Sequence, residues 1–153
     1  MKAEKQKIKT FLWFDDNAEE AATYYVAAFK DSEITHVQRN NGKAFVVEFT
    51  LGGVDYVALN GGPMFKLNEA ISLMVSTEDQ AETDRLWNYL VKGGSPSRCG
   101  WLKDQFGLSW QIVPKRFMEL MQSGTPEQQG RVMAAMMKMA KFEIDKLEAA
   151  AKG

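Results

Sequence analysis

The sequence predicts an α+β fold in which paired βαβββ modules form a curved mixed sheet, followed by C-terminal helices. Three observations carry this prediction. A strand, a capped helix and a run of further strands are followed, after Gly61-Gly62-Pro63, by the same grammar a second time. Both halves contain a glycine turn leading into an aromatic strand, Gly53-Val54-Asp55-Tyr56 and Gly107-Leu108-Ser109-Trp110, as expected of a duplicated module. Beyond Pro114 strand character gives way to helix-start chemistry at Thr125-Pro126-Glu127-Gln128. The modules fall at residues 7–62 and 69–114 and the helical tail at 115–153, within one domain.

Taken in order, Ile8–Phe14 is rich in aromatic and β-branched residues and reads as a strand buried on both faces. Asp15, Asp16 and Asn17 stop it, and Asp16 with Glu19 or Asn17 with Glu20 has capping-box spacing. The helix this opens, Ala18–Phe29, puts Ala22, Tyr25, Val26 and Phe29 on one stripe. Ile34–Arg39 alternates as a strand, Asn40-Asn41-Gly42 turns, Ala44–Leu51 returns, Gly52-Gly53 turns again, and Val54–Asn60 runs back.

Met64–Glu69 then reads as a loop with an exposed Phe65. Ala70–Val75 begins the second module as a strand. Ser76 or Thr77, with Asp79 or Gln80 three residues on, caps a helix whose apolar stripe is Leu86, Trp87, Leu90 and Val91. Gly93-Gly94 closes that helix. The strands of Cys99–Pro114 follow, turning at Asp104–Gly107, with any third β element short or absorbed into Ser97–Leu102. In the tail, Lys115–Ser123 reads as a short helix. A second helix from Thr125 carries Val132, Met133, Met136, Met137 and Met139, with Phe142, Ile144 and Leu147 continuing the apolar set. This set either packs as core, or covers a pocket mouth or subunit seam.

A lone module leaves sheet edges open and one face uncovered. Two modules side by side give a strongly curved sheet of about eight strands with helices outside, and its concave side becomes a cleft. Composition narrows what could fill that cleft. Nineteen basic against twenty acidic residues, interleaved, leave a net charge of −1. Such a chain has no field to hold a polyanion, so nucleic acid is not an expected partner. No apolar run reaches the ~18 residues that a membrane span needs. Met1–Lys9 is charged and does not resemble a secretory signal, and the single cysteine, Cys99, fits a reducing compartment. The expected location is cytoplasmic.

Four stretches carry a resemblance: Phe11-Leu12-Trp13-Phe14-Asp15; Ala58-Leu59-Asn60-Gly61-Gly62-Pro63; Asn68-Glu69-Ala70-Ile71-Ser72; and Cys99-Gly100-Trp101-Leu102-Lys103-Asp104 with Phe106-Gly107-Leu108-Ser109-Trp110-Gln111. Together they resemble the PhnB-like family of the vicinal oxygen chelate superfamily, which includes glyoxalase I, extradiol dioxygenases and bleomycin-resistance proteins. Proteins of this family often carry the label 3-demethylubiquinone-9 3-methyltransferase. The resemblance implies paired βαβββ modules, a homodimer and a pocket in each curved sheet. In the superfamily's enzymes four inward strand side chains, usually His and Glu, hold a divalent metal. Here those positions fall near Thr10 or Phe11, near Tyr56 or Val57, on Ala70 and on Gln111. One neutral amide does not satisfy a hard or borderline cation, so no metal and no cofactor are expected. Nor does either glycine pair open a helix after a strand, the setting a nucleotide-type cofactor needs.

The expected partner is a small, partly apolar molecule, with Trp13, Asn60, Phe65, Trp101 and Gln111 as its ligand-binding wall. Two catalytic candidates stand beside them. Glu48, inside Val46-Val47-Glu48-Phe49, either faces the cleft as an acid or base or lies on a solvated strand face. Cys99 is either a nucleophile or a half-buried structural thiol. His36, the only histidine, reads as exposed strand surface. A binding protein without the usual metal site is the leading reading. The alternative is an enzyme (lyase, isomerase or the labelled methyltransferase) working through Glu48 or Cys99.

Overall fold

The computed structural model describes residues 6–153; Met1–Lys5, most of the charged opening, lies outside the described residues. The chain divides into two compact units, the first ending at Leu67 and the second running from Asn68 to Gly153. In the first, β1 (Thr10–Phe14) leads into α1 (Ala18–Val26), then β2 (Glu33–Asn40), β3 (Lys43–Leu51) and β4 (Val54–Asn60). The sheet order is β1-β4-β3-β2, with β1 parallel to β4 and the other pairs antiparallel. The β2–β3 and β3–β4 turns place Asn41, Gly42, Gly52 and Gly53 at positive φ, the geometry that matches a tight hairpin to strand twist.

The second unit repeats this plan. β5 (Ser72–Thr77), α2 (Gln80–Val91), β6 (Ser95–Pro96), β7 (Trp101–Lys103) and β8 (Ser109–Pro114) form a sheet of order β5-β8-β7-β6. β5 runs parallel to β8, as β1 does to β4. The duplication read from the sequence is therefore a duplication of topology. The third β element is the two-residue β6, short as one of the two alternatives had it, and lying upstream of Ser97–Leu102. Each unit has its own mixed four-stranded sheet, and five helices in the described residues complete an α+β fold.

Each sheet buries the face that meets its helix. Leu12, Phe14, Val47, Phe49 and Ala58 are buried with Ala18, Ala21, Ala22 and Tyr25 of α1. In the second unit Leu102, Trp110 and Ile112 are buried, as are Leu86, Trp87 and Leu90 of α2. Two expectations change here. β1 is buried on one face only: Phe11 is 58% exposed because it points away from α1. α1 stops at Val26, before the expected Phe29, and its buried stripe runs through Ala18, Ala21, Ala22 and Tyr25.

The tail is three helices, α3 (Lys115–Ser123), α4 (Pro126–Met136) and α5 (Ile144–Lys152). α3 has the predicted bounds, and Thr125 and Gln128 close the predicted capping box. The long apolar set is broken between Met136 and Ile144, and that break docks the tail. Cys99 and Gly100 donate their backbone N–H groups to the carbonyls of Met139 and Ala140, at 2.9 and 2.8 Å. Gln80 brackets the segment, its Nε2 donating to the Phe142 carbonyl and its Oε1 accepting from Ile144 N–H. Val113, Val132, Met139, Phe142 and Leu147 form one buried cluster, whereas Met133 and Met137 remain exposed.

Candidate functional site

Strand alternation and register fix which side chains share the face turned away from each helix. In the first unit Phe11, Val57, Glu48 and His36 form one row across β1, β4, β3 and β2. Trp13, Leu59, Val46 and Gln38 form the next. Trp13 is held there by contacts beyond β1. Its Nε1 donates to the Gly62 carbonyl at 2.9 Å, and a Cβ on Gly61 would sit 2.4 Å from its ring. Phe65 packs edge-on against the indole, ring centroids 5.0 Å apart, while staying 58% exposed. The result is a two-ring aromatic platform on the helix-free face, open to solvent.

Glu48 lies on the same face. The cost of a carboxylate within an apolar run is relieved because its side chain is 40% exposed and Lys9 Nζ stands 3.9 Å away. Lys9, Thr35, His36, Glu48, Phe49, Asp55 and Tyr56 line a depression of about 220 Å³. Half-burial holds the phenol of Tyr56 above its ordinary pKa, so it stays protonated through the neutral range.

Asn60 is not part of this face. It lies on the α1 side, where its Oδ1 accepts the Ala18 N–H at 2.8 Å and its Nδ2 donates to the Ala44 carbonyl at 3.0 Å. Both ends of the amide are committed to structure. Asn17, one of the two expected caps and the residue at the N-cap position, makes no side-chain capping bond. Asn60 thus satisfies from β4 an N–H that the local sequence leaves unpaired.

In the second unit the equivalent row is Met74, Gln111 and Trp101 across β5, β8 and β7. Gln111 and Trp101 therefore share a helix-free face, as the wall reading requires. Gln111 Nε2 donates to Ser72 Oγ at 2.9 Å, which fixes the amide. Met74, which sequence reasoning passed over, is 60% exposed beside them.

Cys99 lies outside both rows. It sits in a turn ahead of β7 at φ 59°, half-buried, its N–H tied to the tail. The cation nearest in sequence on the strand side, Lys103, is paired with Glu69, and that ion pair holds the Glu69 carboxyl below its ordinary pKa. Among the described residues no hydrogen bond places a base on the thiol.

Register also sharpens the positions where superfamily enzymes carry metal ligands. Thr10 and Tyr56 face α1, leaving Phe11 and Val57 on the helix-free face. Ala70 precedes β5 in a turn closed by its N–H donating to Asn68 Oδ1 at 2.8 Å, so Met74 is the residue that pairs with Gln111. Of the carried-over positions, register leaves Phe11, Val57 and Gln111 on helix-free faces and Ala70 outside the strands. Among the described residues no group of three or more His, Cys, Asp or Glu is placed to hold a metal ion. No helix is long and apolar enough to cross a membrane.

Comparison with known proteins agrees with this fold. No curated protein matches the chain by sequence. The PhnB protein from Bacillus cereus is 31% identical, with a TM-score of 0.68 over 71% of this chain and 99% of its own. A protein from Pseudomonas aeruginosa is 21% identical, with a TM-score of 0.59 over 72% of this chain and 98% of its own. The fosfomycin resistance protein FosX from Mesorhizobium loti, 13% identical with a TM-score of 0.53 over 72% of this chain and 92% of its own, shares the fold. The family described as 3-demethylubiquinone-9 3-methyltransferase matches residues 6–113, both repeated modules but not the helical tail. On that match the chain belongs to this PhnB-like family.

Proposed function

We propose that the protein binds a small, partly apolar molecule on the helix-free faces of its sheets, without the superfamily's metal. The observation that carries this is the platform of Trp13 and Phe65, which offers stacking area on the face that also bears the Glu48 carboxylate. Donor chemistry supports the second half. Phe11 and Val57 offer no lone pair, Met74 a soft thioether and Gln111 a neutral amide already donating to Ser72. These residues do not fit a divalent ion that needs imidazole or carboxylate ligands. The protein acts as a homodimer in the cytoplasm, an inference that rests on the family resemblance and the lone thiol.

Native mass spectrometry of protein from its own host tests the proposal. It should report a dimer carrying a small organic ligand. A monomer, or a stoichiometric divalent metal in place of the ligand, would contradict it. Glu48 on the ligand face also supports a second reading, acid–base catalysis. Once a ligand is identified, Glu48→Gln separates the two: turnover falls by roughly 10²-fold or more for an enzyme, whereas a binder has no turnover to lose.

A further inference from the structure

Resting on that reading, we infer that the ligand of the first unit is amphipathic, with an aromatic body on Phe11 and Trp13 and a cationic, donor-rich head among Lys9, His36, Glu48 and Asp55. The register places these groups together. Lys9 and Phe11 alternate onto the helix-free face, and so do Asp55 and Val57. Glu48 pairs with Val57 on one side and His36 on the other. The depression they border, about 220 Å³, is smaller than the ~300 Å³ lower bound for a drug-sized ligand. It accommodates a head group, while a ring must lie outside it, on the exposed aromatic residues next in the rows.

The chemistry of the lining sets the sign of the head. Two carboxylates, Glu48 and Asp55, face one ammonium, that of Lys9. Lys9 and Glu48 are 3.9 Å apart, beyond hydrogen-bond length, so their attraction leaves the acceptor sites of Glu48 open. Asp55 is held by its backbone: its N–H donates to Gln6 Oε1 at 3.0 Å and its carbonyl accepts from Gln6 Nε2 at 3.5 Å. Its carboxylate receives no hydrogen bond or ion pair among the described residues. The depression has donors of its own in Lys9, Thr35 and Tyr56, but among the described residues none of them hydrogen-bonds either carboxylate, so acceptor capacity and negative charge stand open. An anionic head would meet both carboxylates, and among the described residues these side chains form no group placed to hold a metal ion. An ammonium head supplies up to three donors and a compensating charge.

Isothermal titration with three probes that share one aromatic body tests this: phenethylamine, 2-phenylethanol and 3-phenylpropanoate. The amine should bind on the order of tenfold more tightly than the alcohol, as one charge-assisted hydrogen bond implies, with the carboxylate weakest. In the double variant Glu48→Gln, Asp55→Asn the amine-to-alcohol affinity ratio should fall to about one. Both substitutions keep side-chain shape at part-exposed positions, and far-ultraviolet circular dichroism verifies the fold. A carboxylate that binds as tightly as the amine, equal binding of all three, or a ratio that survives the double substitution overturns the head assignment while leaving the aromatic platform intact. Failure of all three probes to bind overturns the platform as well.

Discussion

The two modules share a strand order and a parallel pair, yet they secure their helices by opposite means. α2 is capped within its own sequence: Asp79 accepts the Glu82 N–H at 2.9 Å, three residues on. α1 is capped from across the module by Asn60, forty-two positions away. The second module carries a further difference, a helical tail that lies beyond the end of the family match at residue 113 and is fastened back to the Cys99–Gly100 turn. Topology was conserved between the halves while the means of stabilising it diverged. The first module leaves its aromatic face exposed; the second ties its corresponding strand entry to added helices.

The largest effect expected from breaking this asymmetry is at that junction. Gly100 has φ +81°, and a Cβ there would stand 2.4 Å from the Phe142 ring and 2.9 Å from the Ile112 carbonyl oxygen. Phe142 is 1% exposed. Phe142→Ala should cost about 3–5 kcal/mol through the cavity it leaves. Gly100→Ala should cost roughly 2–3 kcal/mol through strain and overpacking. Urea unfolding curves check both, and a change below 1 kcal/mol for either would mean the tail is not anchored there.

Next comes the β7–β8 turn. Asp104 is 2% exposed, and its carboxylate accepts from Phe106 N–H, Leu108 N–H and Trp110 Nε1–H at 2.8, 3.1 and 2.8 Å. Trp110→Phe removes one donor to a buried carboxylate and should cost about 1–3 kcal/mol, read as a lower urea midpoint.

The helix caps give a smaller, paired effect. Asn60→Ala should destabilise by about 1–2 kcal/mol and Asp79→Ala by about 1 kcal/mol. Asn60→Asp should retain most of the cap, since a carboxylate still accepts the Ala18 N–H and suits a helix N-terminus. Equal losses for Asn60→Ala and Asn60→Asp would show that the amide's bond to Ala44, not the cap, dominates.

The smallest effect is electrostatic. Asp84 has its pKa lowered, first by hydrogen bonds from Lys141 and Gln80, with the charge of Lys141 adding to them. A depressed carboxyl stabilises the fold above its unfolded pKa, and that contribution is lost as pH falls through the lower folded value. The Lys141–Asp84 link, 2.7 Å long, should therefore loosen only below the ordinary carboxylate range near pH 4. Both side chains are part-exposed, so screening keeps the effect small. Comparing acid titrations of the wild type and Asp84→Asn by circular dichroism reads it as a small difference confined to that acidic window.

What could be read from the sequence was local. Val54–Asn60, Lys115–Ser123 and the Thr125–Gln128 box lie where turn and cap chemistry predicts them. The glycine turns announced both hairpins of the first module. Contacts between distant positions were not legible: the Asn60 cap, the Gln80 bracket and the bonds from Cys99 and Gly100 to the tail have no short-range signature. β5 begins two residues later than Ala70 because Asn68 closes a turn on the Ala70 N–H, which an apolar Ala-Ile pair conceals. Phe11 looked like core because an unbroken apolar run does not disclose that one face lacks a helix. Of the proposed wall, Trp13 and Phe65 meet in one unit and Trp101 and Gln111 in the other, while Asn60 belongs to the scaffold.

The central claim is small-molecule binding that needs no metal. Titration of phenethylamine into purified protein, by calorimetry, before and after exhaustive treatment with a chelator, tests it most directly. The account predicts one dissociation constant, unchanged by the chelator and weakened about tenfold or more by Trp13→Ala. Binding that vanishes with the chelator and returns with added zinc, nickel or iron would contradict it.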